Sequence, residues 1–216
     1  MFLVNSYLDI CFVVNTLSQH MVEPHHSHWI GAKNLLRYLR GTITHGLRYT
    51  VGDVRLLGYT DADWAGSVVD RKSTSGCCFS LGSASISWMS RKQKSVALST
   101  VEAEYIAASM ASCGTVWLRK LFSELFGHVL DTTIIHCGNQ SGIRLSENPM
   151  FHDRCKHIDI KYHFIRDMVQ GAIRLHHIST DEQVANILTK PLGKVKFLAF
   201  HERLGVVGRP SYEGLA

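Results

Sequence analysis

Three strand-like segments follow one another between residues 54 and 90, and this run limits the fold more than any other feature of the chain. Residues 54–60 form an apolar run that ends in the acids Asp61 and Asp63 and a turn at Gly66. Segments 74–81 and 85–90 alternate as half-buried strands do, with Gly82-Ser83 as the turn between them. A long helical stretch covers 99–126, with Gly114 as its weak point and Gly127 as its stop. The β-branched segment 132–137 reads as a fourth strand, and 139–147 as a short helix halted by Asn148-Pro149. Helical periodicity returns over 159–170 and closes at Gly171. A fifth strand follows at 172–178, then a helix from about Asp181. Hairpin-linked strands followed by helix-linked ones predict an α/β fold: a five-stranded mixed sheet flanked by helices.

Residues 1–50 read differently. Leu8, Cys11 and Phe12 share a helical face, and Trp29, Lys33, Leu36, Arg37 and Arg40 recur at helical spacing after a break at Pro24. Gly41 and Gly46 bracket a turn. This region is expected to be an N-terminal helical extension, 51–207 the main domain and 208–216 a tail. Phe2, Leu8, Phe12, Val13 and Leu17 are expected to lack partners and leave an apolar patch.

With 216 residues, 45% of them hydrophobic, the chain can bury a full core. A net charge of +5, with 13 further histidines, tilts it toward an anionic partner such as nucleic acid. Its six cysteines include no CxxC pair, which argues against a zinc site and for buried free thiols in a reducing compartment, cytoplasmic or nuclear. The N-terminus lacks the basic start and apolar core of a signal peptide, and no apolar run is long enough to span a membrane, so no membrane partner is expected.

An acid at the end of a buried strand is held rigidly, which suits a metal-binding carboxylate. Asp61 has that setting, although a strand that merely stops in a turn-favouring Asp looks the same. Ser99 and Glu102 have the spacing of a capping box. Glu104 lies about 200° further round the helix from Glu102. It shares its face with Ala107, Ala108 and Ala111, small enough to let the helix approach the sheet.

Several words in order carry a family resemblance. They are Tyr59-Thr60-Asp61-Ala62-Asp63-Trp64-Ala65-Gly66, Asp70-Arg71-Lys72-Ser73-Thr74-Ser75-Gly76 and Ile86-Ser87-Trp88-Met89-Ser90-Arg91-Lys92-Gln93. Leu98-Ser99-Thr100-Val101-Glu102-Ala103-Glu104-Tyr105, Lys156-His157-Ile158-Asp159-Ile160 and Leu188-Thr189-Lys190-Pro191-Leu192 continue the series. Over residues 50–207 the chain resembles the ribonuclease H domain of copia-type retrotransposon Pol polyproteins. Residues 1–50 look like the tail of the preceding reverse transcriptase, an expected partner domain. The resemblance implies a ribonuclease H-like fold and cleavage of the RNA strand of RNA–DNA hybrids. Two Mg²⁺ (or Mn²⁺) ions about 4 Å apart would perform the hydrolysis. It also implies four metal-holding carboxylates. Asp61 and Glu104 match two of them.

The other two positions depart from the family. Gly138 stands where the family has an aspartate before Asn-Gln-Ser, and Asn186 stands where it has Ala-Asp. Asp63, Asp131, His136, Asp181 and Glu182 are the neighbours that would have to substitute. Two lost negative charges should weaken metal binding, so hybrid cleavage is expected to be lost or very weak. Binding is the function that remains, through Arg71, Lys72, Asn139, Arg154, Lys156 and His157, with Arg91, Lys92, Lys94, His152 and His163 as further candidates. A non-catalytic nucleic-acid-binding or protein-interaction module is the alternative function.

Overall fold

The computed structural model describes residues 2–52, 54–127, 129–147 and 171–208. The expected helix at 159–170 lies outside the described residues, as do Arg154, Lys156 and His157. The main sheet is built from β2 (Leu56–Asp63), β3 (Thr74–Leu81), β4 (Ala84–Lys92), β5 (Thr133–Cys137) and β6 (Ile173–His177). Their order is β4-β3-β2-β5-β6. The β2–β3 and β3–β4 pairs are antiparallel, while β2–β5 and β5–β6 are parallel. This is the expected mixed sheet. The first three strands can be antiparallel because short connections reverse the chain, and the later two need helical crossovers.

Helix α4 (Thr100–Phe126) crosses one face. Ser99 Oγ accepts the Glu102 N–H at its start, and Gly127 ends it in the left-handed conformation at φ 63°. Glu102 reaches back to the Leu98 N–H, at 2.9 Å. Gly114 does not interrupt the helix. A Cβ there would meet the Phe79 ring at 3.0 Å, so the glycine lets α4 lie close on β3. Phe79, Tyr105, Ala108, Ala111, Leu118 and Ile135 fill this first core.

A second core lies on the opposite face of the sheet. The 3-10 turn Val184–Leu188 covers that face, together with the later helix Lys194–Arg203. The sequence predicts one helix from about Asp181, but two short elements form, because Pro191 cannot continue a helix. Before the sheet come α1 (Phe2–Ser6), a 3-10 turn Leu8–Ile10, α2 (Cys11–Ser18) and α3 (His26–Gly41).

The N-terminal residues share the second core. Leu8 is 1% exposed and packs, with Cys11, among Cys78, Val184, Leu188 and Phe200. The expected apolar patch is therefore only partly present: Phe12 and Leu17 are half-buried and Val13 is exposed, but Leu8 has its partners. The Trp88 indole N–H donates to the Val4 carbonyl at 2.7 Å. A small strand β1 (His45–Leu47) pairs antiparallel with β7 (Val206–Gly208).

Candidate functional site

Asp61 lies two residues before the end of β2, not at its tip, because the strand runs on to Asp63. Its side chain is 7% exposed and faces the turn side of the sheet. The Thr189 hydroxyl donates to Asp61 Oδ2, and the Lys190 ammonium stands 3.1 Å from the same oxygen. Both groups come from the residues just past Val184–Leu188. Gln183 fastens that turn to the sheet. It is 1% exposed, and its Nε2 donates to the Thr60 carbonyl at 2.9 Å and the His136 carbonyl at 3.4 Å. Gly76, opposite Asp61 in the β2–β3 ladder, gives the turn room to descend.

Glu104 arrives from α4, where Ala107, Ala108 and Ala111 are all buried against the sheet as their size allows. It is 8% exposed. Its carboxyl is pushed up to about 8, first by burial and then by the negative Asp61, against the pull of Lys190, a hydrogen bond from the Ala62 backbone and one from Cys137. The Cys137 thiol lies 3.9 Å from Glu104 Oε2. Near neutral pH this group is held largely protonated. Asp63 is also raised, by burial first; Lys190 counters that and Asp61 adds to it. Asp61, Glu104, Asp63 and Lys190 therefore form one electrostatic cluster.

The structure puts position 138 beside this cluster. Thr60 pairs with Cys137, the last residue of β5, in the parallel β2–β5 ladder, so Gly138, just past that strand, follows level with Asp61. A Cβ at Gly138 would meet nothing within 4 Å, and its backbone is not left-handed. The glycine thus satisfies no local packing or conformational demand. Asn186 is 1% exposed, and its Nδ2 donates to the Thr180 carbonyl at 3.2 Å.

The acids nearby in sequence are directed elsewhere. Asp181 is exposed and paired with Lys196 at 2.9 Å. The Glu182 carboxylate, also exposed, accepts from the Ser179 hydroxyl at 3.2 Å. Asp131 is exposed, and its backbone carbonyl accepts from the Arg119 guanidinium. His136 stacks on Tyr59, 4.9 Å between ring centroids.

Two divalent ions do not fit this donor set. Lys190 balances Asp61 and Glu104 is held largely protonated, so the cluster has little negative charge to set against two dications. Hard cations of this kind need several anionic oxygens to offset their repulsion. Asp61 Oδ2 is already engaged twice. Among the described residues, no three His, Cys, Asp or Glu side chains are grouped as a metal would require.

Of the expected binding residues, Arg71 and Lys72 lie in the loop between β2 and β3, at the Asp61 end of the sheet. Arg71 is exposed and adopts φ 54°. Asn139 caps the helix α5 (Gln140–Glu147), with its Oδ1 accepting the Gly142 N–H at 2.9 Å. Lys92 is tied to Asp70 at 2.9 Å and to Gln19 and Ser67, so it braces this loop. Sequence reasoning missed Gln183 and gave no role to Lys190, Thr189 or Gly76. The last three stand inside the family words, which was the available signal.

No family model matches the chain. It is 44% identical over 204 residues to the retrovirus-related Pol polyprotein from transposon RE2 of Arabidopsis thaliana, covering 94% of this chain and 14% of that polyprotein. It is 43% identical over 199 residues to the corresponding polyprotein from transposon TNT 1-94 of Nicotiana tabacum, covering 92% of this chain and 15% of that one. Among solved structures it resembles LC11-RNase H1 in complex with RNA/DNA hybrid, with a TM-score of 0.42 and 13% identity over 62% of this chain and 94% of that one. The chain therefore spans about a seventh of the length of the polyproteins it matches. With this sequence match along nearly its whole length, the chain belongs to the copia-type retrotransposon Pol polyproteins, as a segment of them.

Proposed function

We propose that this chain is a hybrid-binding ribonuclease H-type domain in which two-metal cleavage of the RNA strand is lost or very weak. The observation that carries the reading is Gly138, which follows the end of β5 level with Asp61 and offers no side chain into an open space. Asn186 supports it, since its side chain is a neutral amide, held by the Nδ2 bond to the Thr180 carbonyl, and brings no charge to a metal. Catalytically, Asp61 and Glu104 remain from a set of four carboxylates, and the Mg²⁺ or Mn²⁺ used by the family would lose half of its charged ligands.

The ligand is an RNA–DNA hybrid, held through phosphates and 2′-hydroxyls by basic and polar groups. Arg71 and Lys72 at the Asp61 end of the sheet fit that role, with Asn139 at the α5 terminus. Arg154, Lys156 and His157 belong to the same proposal from sequence alone. The ancestral partner is the reverse transcriptase that residues 1–50 would continue, with 51–207 as the ribonuclease H-like domain and 208–216 as a tail. A reducing compartment, cytoplasmic or nuclear, suits the free and mostly buried thiols of Cys11, Cys77, Cys78 and Cys137. No helix among the described residues is long and apolar enough to cross a membrane.

The test is hybrid cleavage with Mg²⁺ and with Mn²⁺, comparing the wild type with the Gly138→Asp/Asn186→Asp double variant. Cleavage that appears only in the double variant supports the reading. Robust wild-type cleavage that Asp61→Asn abolishes overturns it. A double variant that stays inactive, beside a parent that binds hybrid with steep salt dependence, favours the purely non-catalytic binding module.

A further inference from the structure

We propose that Lys190 is the resident cation of this centre, its ammonium taking the charge-balancing place beside Asp61 that a divalent ion would otherwise take. The inference rests on the lost two-metal chemistry proposed above, and adds what fills the gap.

Position is the first argument. Lys190 Nζ lies 3.1 Å from Asp61 Oδ2, and its charge also acts on Glu104 and Asp63, so one ammonium serves all three acids of the cluster. Its side chain is a third exposed while that of Asp61 is 7% exposed. The pair thus lies at the rim of the core, where attraction is screened far less than on an open surface.

The second argument is that the lysine is delivered by a built support. Its backbone N–H bonds to the Asn186 carbonyl at 3.2 Å. Its neighbour Thr189 donates to the same carboxylate oxygen, and Gln183 straps the turn to β2 and β5. Surface ion pairs are weak largely because two long side chains must be ordered to make them. Here the acid is fixed in a strand and the lysine backbone in a strapped turn, so much of that ordering is already done.

Charge is the third. A dication approaching Asp61 would meet an oxygen already holding a hydroxyl and an ammonium, and would sit a few ångströms from a like charge. Either the ammonium leaves or the ion stays away. With only two of the four family carboxylates present, the ion has little to offset that displacement.

The experiment is thermal unfolding of the full chain during titration with Mg²⁺ and Mn²⁺, without nucleic acid. The wild-type melting temperature should not move with either ion into the millimolar range. Lys190→Met should gain a saturable rise of a few degrees with Mn²⁺, because an ion that binds only the folded state raises its stability by mass action. Lys190→Arg should stay insensitive, and Lys190→Gln is a second neutral variant expected to behave as Lys190→Met. A saturable rise in the wild type overturns the proposal. So do neutral variants that fold and ignore Mn²⁺, or that remain unfolded whether or not Mn²⁺ is present. Variants that fold only when Mn²⁺ is added support it. Hybrid cleavage by the wild type would sink the loss-of-chemistry reading, whereas an inactive wild type that binds Mn²⁺ sinks only the role of Lys190.

Discussion

Gly76 faces Thr189 with no room for a side chain between them: a Cβ on the glycine would stand 2.7 Å from Thr189 Cγ2 and 2.8 Å from Leu188 Cβ. Gly76 is also the cross-strand partner of Asp61. The turn therefore comes closest to the sheet beside the acid, and this approach brings the Thr189 hydroxyl and the Lys190 ammonium onto it.

Gly76→Ala should lift this turn. Overpacking of a close contact costs roughly 1–3 kcal/mol, and here the strain falls on Leu188 and Thr189. The expected result is a lower urea midpoint, with faster amide exchange at Thr189 and Lys190 and little change in the β3–β4 ladder. Unchanged exchange at Thr189 and Lys190 in a destabilised variant would show that the turn does not rest on Gly76.

Local patterns show well in the sequence, and long-range pairings do not. The 74–81 strand and the Ser99 to Gly127 helix are legible because alternation, a capping residue and a left-handed glycine act within a few residues. Asp61 and Glu104 are legible for the same reason, each lying in a distinctive local setting. The β1–β7 pair joins two three-residue strands from opposite ends of the chain, too short to carry a pattern. Gln183 is silent as well: nothing around it announces that its amide will reach two carbonyls on separate strands. The burial of Leu8 follows from the arrival of the C-terminal elements, which no N-terminal periodicity encodes.

The raised Glu104 carboxyl makes stability fall with pH. Its folded value of about 8 lies above the ordinary 4.5, so the unfolded chain releases this proton first. The favourable contribution is complete below about 4.5 and is lost as pH rises from there through 8. Glu104→Gln should remove that slope and be less destabilising, or even stabilising, at pH 8 than at pH 5, by roughly a few kcal/mol. Chemical denaturation at the two pH values reads it, and parallel losses in variant and parent would contradict it.

Acids introduced at positions 138 and 186 should differ in cost. Gly138→Asp enters open space just past β5, so its cost should come only from repulsion by Asp61 and stay at about 1 kcal/mol or less. Asn186→Asp replaces an amide that donates to the Thr180 carbonyl by a carboxylate that cannot, at a site 1% exposed. A lost buried hydrogen bond with a desolvated charge should cost about 1–3 kcal/mol or more. Melting curves without divalent ions separate the two, and equal costs would refute the burial argument.

The contact between Asp9 and His201 should decide how firmly the N-terminal segment is held. His201 Nε2 lies 2.9 Å from Asp9 Oδ2, and the Tyr38 hydroxyl donates to the same oxygen. Burial pushes the Asp9 carboxyl up, but the hydrogen bonds from His201 and Tyr38 and the histidine's charge outweigh it, so the folded value lies below the ordinary 3.8. A lowered acid stabilises above its ordinary value and loses that contribution as pH falls through the folded one. The N-terminal segment should thus loosen only on the acid side of about 4. His201→Ala leaves a buried carboxylate with only Tyr38 and should cost about 3 kcal/mol, the low end for a broken buried pair. Tyr38→Phe removes one hydrogen bond to a charged group, about 1.5–3 kcal/mol. Limited proteolysis within residues 2–47 reports the docking directly. Cleavage there should rise in His201→Ala at neutral pH while the β2–β3–β4 sheet stays protected, and uniform protection would mean that Leu8 and Cys11 hold the segment without this network.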